Sequence, residues 1–67
     1  MSTLHLVVNP DALAAARAAC APGDELALMH RAADGDAPAG AHVLAGHDAP
    51  QALLALVVRH ERCVTWR

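Results

Sequence analysis

Residues 47–67 read HDAPQALLALVVRHERCVTWR, and this stretch decides the fold. Its middle, Ala52–Val58, is seven apolar residues in a row, with Asp48 and Pro50 ahead and Arg59, His60, Glu61 and Arg62 behind. Asp48 followed three places later by Gln51 matches a capping box, and Pro50 suits a first helical turn, where its missing N–H costs nothing. The basic residues at the far end face the negative pole of the helix dipole. The stretch therefore predicts a helix of about three turns, then a short strand at Cys63–Trp66. Leu53, Leu56, Val57 and His60 fall at i, i+3, i+4 and i+7 and share one face, while Leu54 and Val58 fall outside it. So wide an apolar surface is expected to be covered on two sides, the second by another subunit.

Upstream, the chain alternates strand and helix signals. Leu4-His5-Leu6-Val7-Val8 reads as a strand buried on both faces, with His5 its one polar interruption. Asn9 and Pro10 are good N-cap and N1 residues for a helix from Pro10 to Cys20, in which Leu13, Ala16, Arg17 and Cys20 share a side. Ala21-Pro22-Gly23-Asp24 ends it, and Glu25–His30 reads as a second strand. Arg31–Gly40 holds no large apolar residue and reads as a loop or one frayed turn. Ala41–Ala45 is a third strand, closed by Gly46.

The order is β-α-β-loop-β-α-β, which predicts a small α/β fold with a short, mostly parallel sheet and two main helices. The ten-residue connection Arg31–Gly40 is short for a parallel crossover, so the direction of the third strand stays open.

With 67 residues, positions 1–67 form a single domain. A domain of this size buries only about 60% of its unfolded surface. Alanine dominates the apolar fraction, Trp66 is the one aromatic residue, and there is no Phe or Tyr. Two cysteines allow at most one bridge, so association is the remaining source of stability. Trp66 is expected either to anchor packing or to sit at an interface, and its place near the chain end favours the interface.

The formal net charge of −2 and the absence of a basic stripe speak against direct nucleic-acid binding. No apolar run approaches a membrane span, and no signal peptide is read, so cytoplasmic localisation with reduced thiols is expected. There is no GxGxxG, P-loop or GxSxG, and no cofactor is expected. Five histidines and two cysteines lack the CxxC or HxxxH spacing of a zinc site. No metal is expected, and the histidines read as surface and strand-edge residues.

Cys20 and Cys63 are the candidate thiols. Cys20 falls at a helix C-terminus, where the dipole disfavours a thiolate and Arg17 is the only nearby help. Cys63 has Arg62 and His60 close in sequence, but strand alternation turns neighbours to opposite faces. His47 precedes a helix N-terminus, a place that binds anions, and reads more simply as a capping or solvated residue.

The residues Leu4-His5, Gly23-Asp24-Glu25-Leu26-Ala27-Leu28, His42-Val43-Leu44, and Leu53–His60 followed by Val64-Thr65-Trp66 together resemble the TusB/DsrH family of sulfur-relay subunits. The C-terminal part is the most specific: an apolar helix ending in His, a short polar link, and a near-terminal Trp. The resemblance implies a small DsrE-like fold and a place in a hetero-hexamer with TusC/DsrF-like and TusD/DsrE-like subunits. Such a complex passes persulfide sulfur toward 2-thiolation of the tRNA wobble uridine, or serves oxidation of stored sulfur. The principal sulfur-carrying cysteine belongs to the TusD/DsrE-like partner, which makes this chain an accessory, non-catalytic subunit. Leu53, Leu56, Val57, His60 and Trp66 are then the expected subunit-interface residues.

The chain departs from usual members, which carry an extra helix after strand two and an additional helix and strand before the last helix. Here Arg31–Gly40 and Gly46–Asp48 replace those pieces. Some members have a first-helix cysteine, but Cys20 stands closer to the Gly23 turn than theirs, and no catalytic role is carried onto it. Two alternatives stand beside the subunit reading. One is a stand-alone thiol sulfurtransferase using Cys20 or Cys63, and the other a self-associating α/β module without sulfur chemistry.

Overall fold

The computed structural model describes residues 2–35, 37–38 and 40–67. Four strands, β1 (Thr3–Val7), β2 (Glu25–Met29), β3 (His42–Leu44) and β4 (Arg62–Trp66), form one sheet in the order β3-β2-β1-β4. Every neighbouring pair is parallel, with His5 beside Leu26 on one side and Val64 on the other. That settles the direction of the third strand.

Helix α1 (Leu13–Ala19) lies on one face of the sheet, and α2 (Ala49–Arg59) lies on the other. The connection from β2 to β3, expected as a loop or one frayed turn, is helical where it leaves β2, and Asp36 and Ala39 within it lie outside the described residues. A 3-10 helix over His30–Asp34 brings Ala32, 3% exposed, down onto the α1 face. Only a residue as small as alanine lets so tight a turn approach the sheet closely.

The core is two thin layers. Leu4, Leu6, Ala27 and Leu44 meet Leu56 of α2, with Ala49, Ala52 and Leu53 around it. On the opposite side Val7, Leu26 and Leu28 meet Ala16 and Ala32, with Leu13, Cys20 and Trp66 at the margin. β1 is buried on both faces, as a central strand of a parallel sheet must be.

Helix starts differ from the expected capping. Asn9 does accept the Asp11 N–H at 3.1 Å, but the first turn, Pro10–Ala12, is 3-10, and α1 proper begins at Leu13. The Asp48–Gln51 capping box does not form. Asp48 has helical dihedrals (φ −86°, ψ −4°) and its side chain makes no cap hydrogen bond. An N-cap needs an extended backbone to swing its oxygen over the first amides. The turn at Gly46, at φ +81°, instead sets the entry, with the Ala49 N–H donating to the Gly46 carbonyl.

Candidate functional site

Asp24 and Glu25 open β2, and strand alternation sends their carboxylates to opposite faces of the sheet. At the edge where the strands begin, Asp24 takes one histidine and Glu25 two. Asp24 accepts the Thr3 N–H at 2.9 Å, the Ala21 N–H at 3.0 Å and His5 Nε2 at 3.2 Å. The backbone bonds from Ala21 and Thr3, followed by the His5 bond, hold its carboxyl at about 2. His5 is 5% exposed, and its Nδ1 accepts the Trp66 Nε1–H at 3.1 Å. An indole N–H only donates, so Nδ1 is bare and Nε2 carries the ring proton that goes to Asp24.

On the other face, Glu25 takes His42 Nε2 on Oε2, and His60 Nε2 at 2.8 Å and Arg59 Nη2 at 3.1 Å on Oε1. His60 reaches on through Nδ1 to the Ser2 hydroxyl at 3.0 Å. Burial pushes the Glu25 carboxyl up, but the bonds from His42 and His60 and the Arg59 charge outweigh it and leave it below its ordinary value. This one carboxylate ties the starts of β1, β2 and β3 to the end of α2. The histidines are thus not uniformly at the surface: the side chains of His5 and His60 are 6% and 4% exposed. Their Nε2 atoms face carboxylates, and among the described residues no group of three His, Cys, Asp or Glu side chains is placed to hold a metal ion.

In open parallel sheets, ligands bind beyond the carboxyl ends of the strands. Both histidine–carboxylate clusters lie at the opposite edge, so their geometry reads as fastening. At the carboxyl edge, a groove of about 570 Å³ lies between the ends of β2 and β3 and the start of α2, lined by Met29, His30, Asp34, Leu44, Ala49 and Pro50 among others. The point where strand order reverses lies elsewhere, between β1 and β4. The groove is therefore not placed where this fold usually binds, and His47, exposed beyond β3, does not line it.

The two thiols are free and lie apart in the fold. Cys20 caps the end of α1, half-buried beside Arg17 and Asp24 in a recess of about 250 Å³. Burial, and then the Asp24 charge, push its thiol up, away from the thiolate a nucleophile needs. Cys63 is exposed on β4.

The expected interface residues are mostly turned inward. The inward stripe of α2 runs Ala49, Ala52, Leu53, Leu56, His60, partly covered except for Leu56, which is 4% exposed. Trp66 is half-buried over His5. Only Val57, 38% exposed, stands well out, at the margin of the stripe. The apolar surface that α2 does present is Leu54, 64% exposed, and Val58, 72% exposed, one turn apart. The sequence signal for them was their position outside the core stripe. The two carboxylate clusters carried no such signal, because their histidine partners lie 17 or more positions away along the chain. Among the described residues no helix is long and apolar enough to cross a membrane.

Comparison with protein-family models, with curated proteins and with solved structures finds no match.

Proposed function

We propose that this chain is an accessory, non-catalytic subunit of a cytoplasmic sulfurtransferase assembly of the TusBCD/DsrEFH kind. In this reading it docks TusC/DsrF-like and TusD/DsrE-like subunits and helps relay persulfide sulfur, most directly toward 2-thiolation of the tRNA wobble uridine. The partner's cysteine carries the sulfur. The reading rests on the residue resemblance described above, and the observation that carries it furthest is the outer face of α2. Leu54, Val57 and Val58 form an apolar seam on a helix whose inner face is already occupied. Full burial of such side chains stabilises an interface by about 1.5–3 kcal/mol each, which a thin α/β layer needs. The raised Cys20 thiol fits a subunit that supports the chemistry without performing it.

The test is co-expression with TusC-like and TusD-like chains, followed by native mass spectrometry. A stoichiometric hetero-complex that Leu54→Glu and Val58→Glu disrupt is the expected result. A chain that ignores those partners overturns the reading.

A further inference from the structure

β4 is one edge of the sheet, opposite β3, and it is bare on both faces. Arg62, Cys63, Val64 and Thr65 are all exposed, and only Trp66 is half-covered. Edge strands are normally blunted by charge at the centre, proline or a covering loop. The centre of this one is Cys-Val-Thr.

Which backbone groups are free follows from one bond. The Val8 N–H donates to the Trp66 carbonyl at 3.0 Å, so Trp66 directs its peptide groups at β1. Successive residues alternate, so Arg62 and Val64 do the same, while Cys63 and Thr65 direct N–H and C=O outward. The Glu61 N–H is already taken by the Ser2 carbonyl at 3.2 Å. The free ladder is therefore Cys63 and Thr65.

That ladder is self-complementary. An antiparallel copy related by a two-fold axis at Val64 sets Cys63 opposite Thr65 of the second copy. These are the two outward residues, and they exchange both backbone bonds; Thr65 and Cys63 then repeat the exchange by symmetry. The same axis sets Val64 against Val64, Arg62 against Trp66 and Glu61 against Arg67. Arg62 and Trp66 share one face, where a guanidinium can lie over an indole ring. Glu61 and Arg67 flank the strand just outside its two ends, and their opposite charges attract across the seam. Moving the axis to Cys63 pairs Arg62 with Val64 and Glu61 with Thr65, and loses both matches. Moving it to Thr65 pairs Cys63 with Arg67 and Val64 with Trp66, and loses them again.

We propose that β4 is a homodimer seam, at which a second copy of this chain adds antiparallel about Val64 to make one continuous eight-stranded sheet. The surface is distinct from the α2 seam assigned above to hetero-partners, and the inference does not depend on that reading. A seam of five residues is small beside the roughly 1,200–2,000 Å² of standard interfaces, so association at micromolar concentration is expected.

The experiment uses the full chain alone, in sedimentation velocity across a concentration series. Thr65→Pro removes an outward N–H that β1 does not use, and is expected to weaken the dimer roughly tenfold or more while circular dichroism keeps the native spectrum. Val64→Cys, with Cys20→Ser and Cys63→Ser, tests the axis without depending on that fold. In a non-hydrogen-bonded pair the Cα atoms are about 4.5 Å apart, within disulfide range, so mild oxidation is expected to give a covalent dimer. Glu61→Arg and Arg67→Glu should each weaken association, and the double variant should recover it. A chain that stays monomeric throughout overturns the proposal. So does a dimer that is indifferent to Thr65→Pro and that oxidation fails to crosslink in the Val64→Cys variant. An edge that pairs only with a different protein overturns it as well.

Discussion

The indole of Trp66 donates to Nδ1 of His5 at 3.1 Å, across a separation of 61 positions, and this bond fixes the ring's tautomer. The proton on Nε2 is then committed to Asp24, so one near-terminal side chain organises the first strand and the turn before the second. Trp66→Phe keeps most of the packing and removes the donor, leaving a buried acceptor unpaired at a cost of roughly 1–3 kcal/mol. Trp66→Ala also empties volume beside the core layer that holds Val7 and should cost more. Urea unfolding followed by circular dichroism measures both, since the variants lose the tryptophan fluorescence. A Trp66→Phe midpoint equal to that of the parent chain would show that the bond contributes nothing.

Asp24 makes stability depend on acid in a defined window. Its carboxyl sits at about 2 in the folded chain against an ordinary 3.8, so the stabilisation it brings is complete above 3.8 and is lost as pH falls toward 2. Glu25 is lowered as well and contributes from its own ordinary 4.5 downward. Comparing the parent chain with Asp24→Asn separates the two. The variant should be less stable at neutral pH, and the gap should close between about pH 4 and pH 2. A gap that stays constant across that range would assign the loss to something other than the carboxylate charge.

The alternation of strands and helices was legible because it is written in local residue types: the Leu-Val run of β1, the alanines of α1 and the seven-residue apolar centre of α2. What was not legible is what side chains do across the fold. His5 read as a polar interruption of a strand and His60 as the end of an apolar helix face, and neither reading named Asp24 and Glu25, set adjacent by sequence and turned apart by the strand, as their partners. The Asp48–Gln51 pattern misled because a capping box describes side chains alone, whereas the Gly46 turn had already fixed the backbone of Asp48. The face of α2 was nearly right, but the rotation that buries Ala49 and Ala52 depends on how closely alanine lets a helix approach a sheet.

The two thiols should differ in alkylation. Burial and Asp24 raise the Cys20 thiol above its ordinary 9.0, so the midpoint of its iodoacetamide rate against pH should lie above that of the same cysteine in urea. Cys63 is open to reagent on β4 and should be modified first near neutral pH. Peptide mass spectrometry over time distinguishes the sites. Faster reaction of Cys20 in the folded chain than in urea would contradict the burial argument and make it a candidate nucleophile again.

His30 joins β2 to the crossover helix at φ +53°, in the left-handed region, with its side chain exposed. Histidine tolerates that region better than most residues, but a β-branched side chain there is strained. His30→Val should therefore cost about 1–2 kcal/mol although it removes no buried contact, because the strain is in the backbone. For a chain this short that corresponds to a fall in Tm of roughly 4–16 °C. His30→Gly adopts the same dihedral freely, and the relief of strain offsets the roughly 0.5–1 kcal/mol of extra chain entropy glycine loses on folding. Its Tm should stay near that of the parent. Equal losses in the two variants would trace the effect to the imidazole, and the positive φ would then not be what the position selects for.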